Sequence, residues 1–139
     1  MIKNEKQYNI TRKKLAEVSE LITKEKPLAS KSLQKELYVT SLLRIKNQMQ
    51  DEVNQYEKTK HKGISLKRKI SITKLPDILI EYKISKKLSQ KDFSAILGIK
   101  EQQLQRYEAE HYATVSFRRL LEFVEKTNLD ITFAVNENA

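Results

Sequence analysis

The sequence has no cysteine, only two glycines and two prolines, and no long apolar run. Without cysteine the chain can form neither disulfides nor thiolate metal sites, and no redox chemistry can depend on a thiol. The scarcity of glycine and proline, with charged residues at 32%, favours helices over a turn-rich β fold. No stretch approaches the ~20 apolar residues of a membrane span, and none forms a signal peptide near the first residue. We therefore expect a mainly α, cytoplasmic protein without a membrane partner.

Positive charge is unevenly distributed along the 139 residues, a length that suits one globular domain with an appendage. Residues 1–70 carry 17 Lys and Arg against 8 Asp and Glu, whereas residues 71–139 carry 10 against 10. The run from Lys58 to Lys69 contains no acid at all. An excess of this kind suits a polyanionic partner, but it is equally typical of a solubilising surface.

Apolar residues at helical spacing predict two amphipathic helices in the first 60 residues. The first follows Thr11, its predicted N-cap, and ends before Pro27, because proline disfavours the α conformation of the preceding residue. The second begins at about residue 30. Its apolar stripe consists of Tyr38, Leu42, Ile45, Met49, Val53 and Tyr56. The stripe predicts a hairpin with the first helix or a coiled coil with a second chain, and Glu52, at a position where a heptad requires an apolar residue, favours the hairpin.

Two β-prone runs stand before and after the helical part of the second half. The first alternates apolar and polar residues and contains Ile64, Leu66, Ile70 and Ile72. The second is Ile131–Val135, and the two runs could pair with each other or across a dimer. We therefore divide the chain into a helical N-terminal region at 1–60, a basic linker at 61–74, and a region at 75–139 that ends in a short strand.

Four short helices are predicted between residues 75 and 129 from apolar side chains at helical spacing. Pro76 suits the first turn of the first helix, Ser89 is a natural N-cap for the second, and Gly98 suits a left-handed C-terminal stop. Between Gly98 and the third helix only Ile99 and one further residue remain. Such a tight turn predicts two helices that cross steeply, as in a helix-turn-helix.

The third helix has two different faces on a helical wheel. Gln102, Gln105 and Arg106 lie on one side, and the apolar Leu104 and Tyr107 lie on the other. Glutamine can bond adenine N6 and N7 as a pair, and arginine can bond guanine O6 and N7 or a phosphate. The pattern indicates a helix that reads bases, although a polar helical face can also be a merely solvated surface.

These residues resemble a known group of regulators, the XRE or lambda-repressor-like DNA-binding family. The resemblance is carried by the run Leu-Ser-Gln-Lys-Asp-Phe-Ser-Ala-Ile-Leu-Gly-Ile at 88–99 and by Gln102, Leu104, Arg106, Tyr107 and Glu108. The tail 106–113, with Ser116 and Arg119, is similar to a subgroup that carries an extra helical N-terminal region. Two positions differ from the family pattern: Ser94 replaces a common alanine, and Glu110 stands where many members have glycine.

The resemblance implies a mainly α fold, with a lambda-repressor-like helix-turn-helix domain at 75–139 preceded by a helical hairpin, and with short β-prone segments. It makes residues 100 to about 109 the recognition helix and places Gln90 against a phosphate. The residues expected to contact DNA are Gln90, Lys91, Lys100, Glu101, Gln102, Gln105 and Arg106, together with Lys67, Arg68 and Lys69 of the linker. Glu101 either accepts a bond from a cytosine amino group or stabilises the helix N-terminus.

The function implied is that of a sequence-specific transcriptional regulator, acting as a repressor on double-stranded DNA. A homodimer is expected, because one short recognition helix reads only a few base pairs. An alternative role is that of an antitoxin, which would bind a toxin protein through the N-terminal half and regulate its own operon. A toxin gene beside this one, or a copurifying protein, would favour the alternative.

An enzyme is not expected, and neither a metal nor a cofactor is. His61 and His111, the only histidines, are far apart in sequence and lack metal-ligand spacing. The chain has no glycine-rich phosphate loop. The acidic pair Glu108 and Glu110 is interpreted as solvated helix charge.

Overall fold

A computed structural model of the chain describes residues 1–63 and 68–138, which form two compact units, Met1–His61 and Lys62–Ala139. The helices are α1 (Glu5–Glu25), α2 (Leu33–Lys62), α3 (Leu75–Ser85), α4 (Gln90–Leu97), α5 (Glu101–Ala109) and α6 (Phe117–Thr127). Two short 3-10 helices are Lys26–Lys31 and Ile72–Lys74, and the described residues contain no strand. The predicted mainly α fold is confirmed. Within the described ranges, no helix is long and apolar enough to cross a membrane.

Side-chain caps set the start of both helices of the N-terminal unit. Asn4 caps α1, since its Oδ1 accepts a hydrogen bond from the backbone N–H of Gln7 at 2.9 Å. The predicted N-cap at Thr11 is therefore wrong: Thr11 lies inside a helix that a stronger cap begins earlier. Ser32 serves α2 in the same way, and its Oγ accepts from the N–H of Lys35 at 3.1 Å.

The two long helices of the N-terminal unit form an antiparallel hairpin, as predicted. The rings of Tyr8 and Tyr56 stack with centroids 4.8 Å apart. The Tyr8 hydroxyl donates to Glu57 at 2.5 Å, and the Tyr56 hydroxyl donates to Glu5 at 3.0 Å. Burial, followed by the bond to Glu5, raises the pKa of Tyr56 far above its usual value, so this phenol remains a donor.

The apolar stripe of α2 is divided by the hairpin. Leu42, Val53 and Tyr56 are buried, whereas Tyr38 and Ile45 are 47% and 42% exposed. Met49 is half-buried, so the hairpin covers most of the second half of the stripe and leaves apolar side chains uncovered within this unit near the start of α2.

The C-terminal unit packs α3, α4, α5 and α6 around one apolar core. The prediction of four short helices is confirmed, and Pro76 lies in the first turn of α3. The most deeply buried apolar side chains come from all four helices and the loop before α6: Leu79, Ile80, Phe93, Leu97, Leu104, Tyr112 and Phe123. This core fixes the relative placement of the helices that carry the predicted site.

The strands expected from the two β-prone runs are not found in the described residues. Ile70 has no regular structure and Ile72 begins a 3-10 helix, while Ile64 and Leu66 lie outside the described residues. Residues 131–138 form neither helix nor strand, and Phe133 and Val135 are 51% and 98% exposed. A strand requires a partner to satisfy its backbone hydrogen bonds, and the part of the chain that the structure describes contains no strand beside this segment.

We expect Gly98→Ala to lower the free energy of unfolding by about 1–2 kcal/mol, because the left-handed conformation disfavours a Cβ. Gly98 has φ +70°, and an added Cβ would lie 2.9 Å from Lys126 Nζ. That ammonium group donates to the carbonyl of Leu97 at 2.9 Å. Gly63 is the control, since its φ is +76° but nothing lies within 4 Å of an added Cβ. Urea unfolding of the two variants should show the larger loss for Gly98→Ala, and equal losses would contradict the role of the Lys126 contact.

Candidate nucleic-acid interface

The segment from α4 to α5 is a tight helix-turn-helix. Ser89 caps α4, and its Oγ accepts from the N–H of Asp92 at 3.0 Å, as predicted. Gly98 ends the helix in the left-handed conformation, also as predicted, and the N–H of Ile99 reaches back to the carbonyl of Ser94 at 3.0 Å. Ser94 fits the helix crossing because it is small and its Oγ bonds the carbonyl of Lys91 at 2.7 Å.

The α5 helix has the two faces that the helical wheel predicts. Leu104 and Tyr107 are buried against the core. The exposed residues are Glu101, Gln102, Gln105 and Arg106, and Lys100 precedes them as the exposed N-cap. The structure thus brings five of the predicted DNA-contacting residues onto one helix and its first flanking position, with their side chains accessible. That they contact DNA remains a prediction.

An open depression lies on this surface and is lined by Lys100, Gln102, Gln103 and Arg106. The guanidinium carbon of Arg106 lies 5.6 Å from the ring centroid of Tyr107, which is a cation–π contact. Gln103, which was not predicted as a site residue, donates to the Tyr107 hydroxyl at 2.8 Å. Two of the four side chains at this depression, those of Gln103 and Arg106, therefore contact Tyr107.

Gln90 and Lys91 form the first turn of α4. Lys91 is exposed, whereas Gln90 is half-buried. The Gln90 Nε2 donates to Oε1 of Glu108 at 3.3 Å, which ties the start of α4 to α5. Gln90 is therefore a residue whose side chain is oriented before any ligand arrives.

Glu108 belongs to a buried ion pair with Lys83 of α3. Lys83 Nζ lies 2.5 Å from Glu108 Oε2, and the two side chains are 3% and 2% exposed. The interpretation of Glu108 as solvated helix charge is wrong. A signal was present in the sequence: Glu108 follows Leu104 by one helical turn, on the core side of α5, and Lys83 stands between the apolar Ile80 and Ile84.

A second ion pair offsets part of the positive charge that the linker was predicted to offer to DNA. Lys67 lies outside the described residues, and Lys69 is exposed. The guanidinium of Arg68 forms an ion pair with Glu81 of α3. Because this contact offsets its charge, Arg68 is a weaker candidate for a phosphate contact than the sequence indicated.

In the loop after α5, the left-handed backbone conformation begins one residue further along the sequence than the family pattern implies. Glu110, at the position where glycine is common, has φ −87°, whereas His111 and Tyr112 have φ 55° and 59°. His111 contacts the carboxylate of Asp77, and Tyr112 is 1% exposed between Tyr107 and Phe123. Burial raises the pKa of Tyr112 far above its usual value, so its phenol stays neutral.

Comparisons with known proteins give one match. Residues 79–133 match a family model described as a helix-turn-helix. No significant match was found among curated proteins, and none among solved structures. In the described ranges, no three His, Asp or Glu side chains are grouped so that they could hold a metal ion.

We expect Glu108→Ala to destabilise the protein by about 3–5 kcal/mol, because it leaves the ammonium of Lys83 buried without its carboxylate. The matched control is Glu81→Ala, which breaks the Arg68 pair, where the two side chains are 35% and 14% exposed. Its loss should not exceed about 1 kcal/mol. Both values follow from urea unfolding monitored by circular dichroism. Similar losses for the two variants would show that burial does not set the strength of these pairs.

Proposed function

We propose that the chain is a DNA-binding transcription regulator of the XRE-like helix-turn-helix family, on the support of the family model that residues 79–133 match, and that it acts as a sequence-specific repressor. The observation that carries the proposal is the division of α5, with Leu104 and Tyr107 buried and an opposite face of long polar side chains exposed. A helix divided in this way can enter the major groove while its apolar side stays in the core.

In the proposed complex, Gln102, Gln105 and Arg106 read base edges. Glutamine pairs with adenine, and the arginine pairs with guanine through two parallel bonds. Glu101 accepts a bond from a cytosine amino group or stabilises the positive N-terminus of α5. These are the side chains that would set the operator sequence.

The phosphate contacts are proposed to come from local groups, because residues 71–139 have no net charge. Lys91 and Lys100 are exposed at the N-terminal ends of the two helices, and Gln90 lies beside Lys91. Lys67 and Lys69 belong to the same proposed set. Each of them that neutralises a phosphate steepens the salt dependence of binding.

Arg106→Ala and Gln102→Ala should each weaken binding to an operator selected from random DNA by about 1–3 kcal/mol, the value of one lost bidentate contact. Both side chains are exposed, so the melting temperature should not change. Arg44→Ala, an equally exposed arginine on α2, serves as the control for loss of one positive charge. Titrations by fluorescence anisotropy on the operator and on base-substituted operators test this. Unchanged affinity and base preference in both variants would remove α5 as the recognition helix.

The repressor is further proposed to act as a homodimer through the segment Ile131–Val135. Its large apolar residues Ile131, Phe133 and Val135 stand at alternate positions, the segment has no regular structure, and Phe133 and Val135 are exposed. Two copies of such a segment can pair as antiparallel strands about a two-fold axis, which satisfies the backbone groups and covers the apolar side chains. The pairing would also place two recognition helices on one operator.

The double variant Phe133→Lys/Val135→Lys should convert a dimer into a monomer in sedimentation velocity, because it places like charges on both copies of the pairing face. Leu33→Lys, on a residue of α2 that is 72% exposed, is the matched control and should leave the dimer intact. A wild-type monomer, free and on DNA, would contradict dimerisation itself. A dimer that survives the double variant would contradict the surface.

The antitoxin role is the second candidate, and one observation favours it. Near the start of α2, Leu33, Leu37 and Tyr38 are 72%, 58% and 47% exposed. Uncovered apolar side chains of this size are typical of a surface that binds another protein. Copurification of a small partner protein that is lost in a Leu37→Lys variant would support this role. We also propose that the protein is not an enzyme, on the support of its two separated histidines.

A further inference from the structure

Three side chains from three helices are linked by two consecutive hydrogen bonds beside the start of α4. Lys83 Nζ of α3 donates to Glu108 Oε2 of α5 at 2.5 Å. The other carboxylate oxygen, Oε1, accepts from Nε2 of Gln90 at 3.3 Å. The lysine and the glutamate are buried, and Gln90 is half-buried, so the chain of contacts runs from the core toward the surface.

The bond to Glu108 fixes the orientation of the Gln90 side-chain amide. A carboxylate accepts hydrogen bonds and donates none, so it bonds the NH₂ group of the amide and not its oxygen. The NH₂ group has two hydrogens, of which Glu108 takes one. The other remains for an acceptor outside the core. A phosphate is also an acceptor only, so it requires the same orientation of the amide.

We propose that the buried Lys83–Glu108 pair is a positioning device, which holds the Gln90 amide so that its second Nε2 hydrogen meets a DNA phosphate. The inference rests on the proposed function of the helix-turn-helix. Lys83 and Glu108 do not touch DNA in this scheme. They act through Gln90, which would otherwise be free to turn its amide oxygen toward the phosphate.

Stability alone does not account for an ion pair at this place. Removing two charges from water is unfavourable, and well-packed apolar residues of similar volume are often equally stable or better. What an apolar pair cannot provide is an acceptor for Gln90. The lysine in turn supplies the positive partner that a buried carboxylate requires.

Two matched double variants of the full chain separate positioning from stability. Lys83→Met/Glu108→Gln keeps an amide oxygen that can accept the Gln90 hydrogen, whereas Lys83→Met/Glu108→Leu removes every acceptor. Each is combined with Gln90→Ala, and binding to the selected operator is measured by anisotropy beside the melting temperature. Gln90→Ala alone should weaken binding about tenfold, the loss of one hydrogen bond to a charged group.

The leucine variant should weaken binding by a similar factor, and adding Gln90→Ala to it should change nothing further, because the two changes remove the same contact. The glutamine variant should bind within about threefold of the wild type and stay sensitive to Gln90→Ala. Additive losses in the leucine variant, or equal binding by both double variants, would overturn the positioning role. A wild-type protein that selects no DNA would instead overturn the proposed function.

If the leucine variant does not fold, a measurement on the wild-type protein tests the positioning role instead. In the nuclear magnetic resonance spectrum, the two Nε2 hydrogens of Gln90 should give separate signals, one of them slow to exchange because Glu108 binds it. Addition of the operator should shift the other. Two rapidly exchanging hydrogens, or no shift with operator, would overturn the inference.

Discussion

The buried pair of Lys83 and Glu108 is the interaction on which the exposed polar face of α5 depends. Both side chains are at most 3% exposed, so water cannot replace either partner if the pair breaks. Glu108 is therefore fixed on the inner side of α5. Because a helix turns about 100° per residue, fixing Glu108 inward also fixes Gln102 and Arg106 outward. The rotation of α5 about its own axis thus follows from one ion pair and from the buried apolar Leu104.

The turns on either side of α5 depend on left-handed residues, and the chain supports each of them differently. Before α5, Gly98 adopts the conformation without a Cβ, and Lys126 of α6 bonds the carbonyl of Leu97 that the helix end leaves free. After α5, His111 and Tyr112 adopt it with full side chains, which is unfavourable for each residue. Burial of the Tyr112 ring between Tyr107 and Phe123 offsets that strain with aromatic contact.

What the sequence predicted correctly is governed by short-range rules. The Ser89 cap, the Gly98 stop and the two faces of α5 each depend on residues within about one helical turn. Apart from the N-cap predicted at Thr11, which a local rule misplaced, the errors concern contacts of longer range. Glu108 and Arg68 find their ion-pair partners in α3, and neither distance can be read from helical spacing. The segment Ile131–Val135 is β-prone, but a β-prone segment cannot supply its own neighbouring strand, and the described residues contain none.

The charge balance of the C-terminal half has a consequence for how such a regulator would discriminate among sequences. Phosphate contacts supply attraction to any DNA, and they scale with the number of lysines and arginines that reach the backbone. Here residues 71–139 carry no net charge, and Glu81 already engages Arg68. Under the proposed function, the attraction of this half to any DNA would come from individual exposed lysines such as Lys91 and Lys100. Under the proposed function, base contacts from α5 then carry a larger share of the binding free energy, which raises the ratio of specific to general binding.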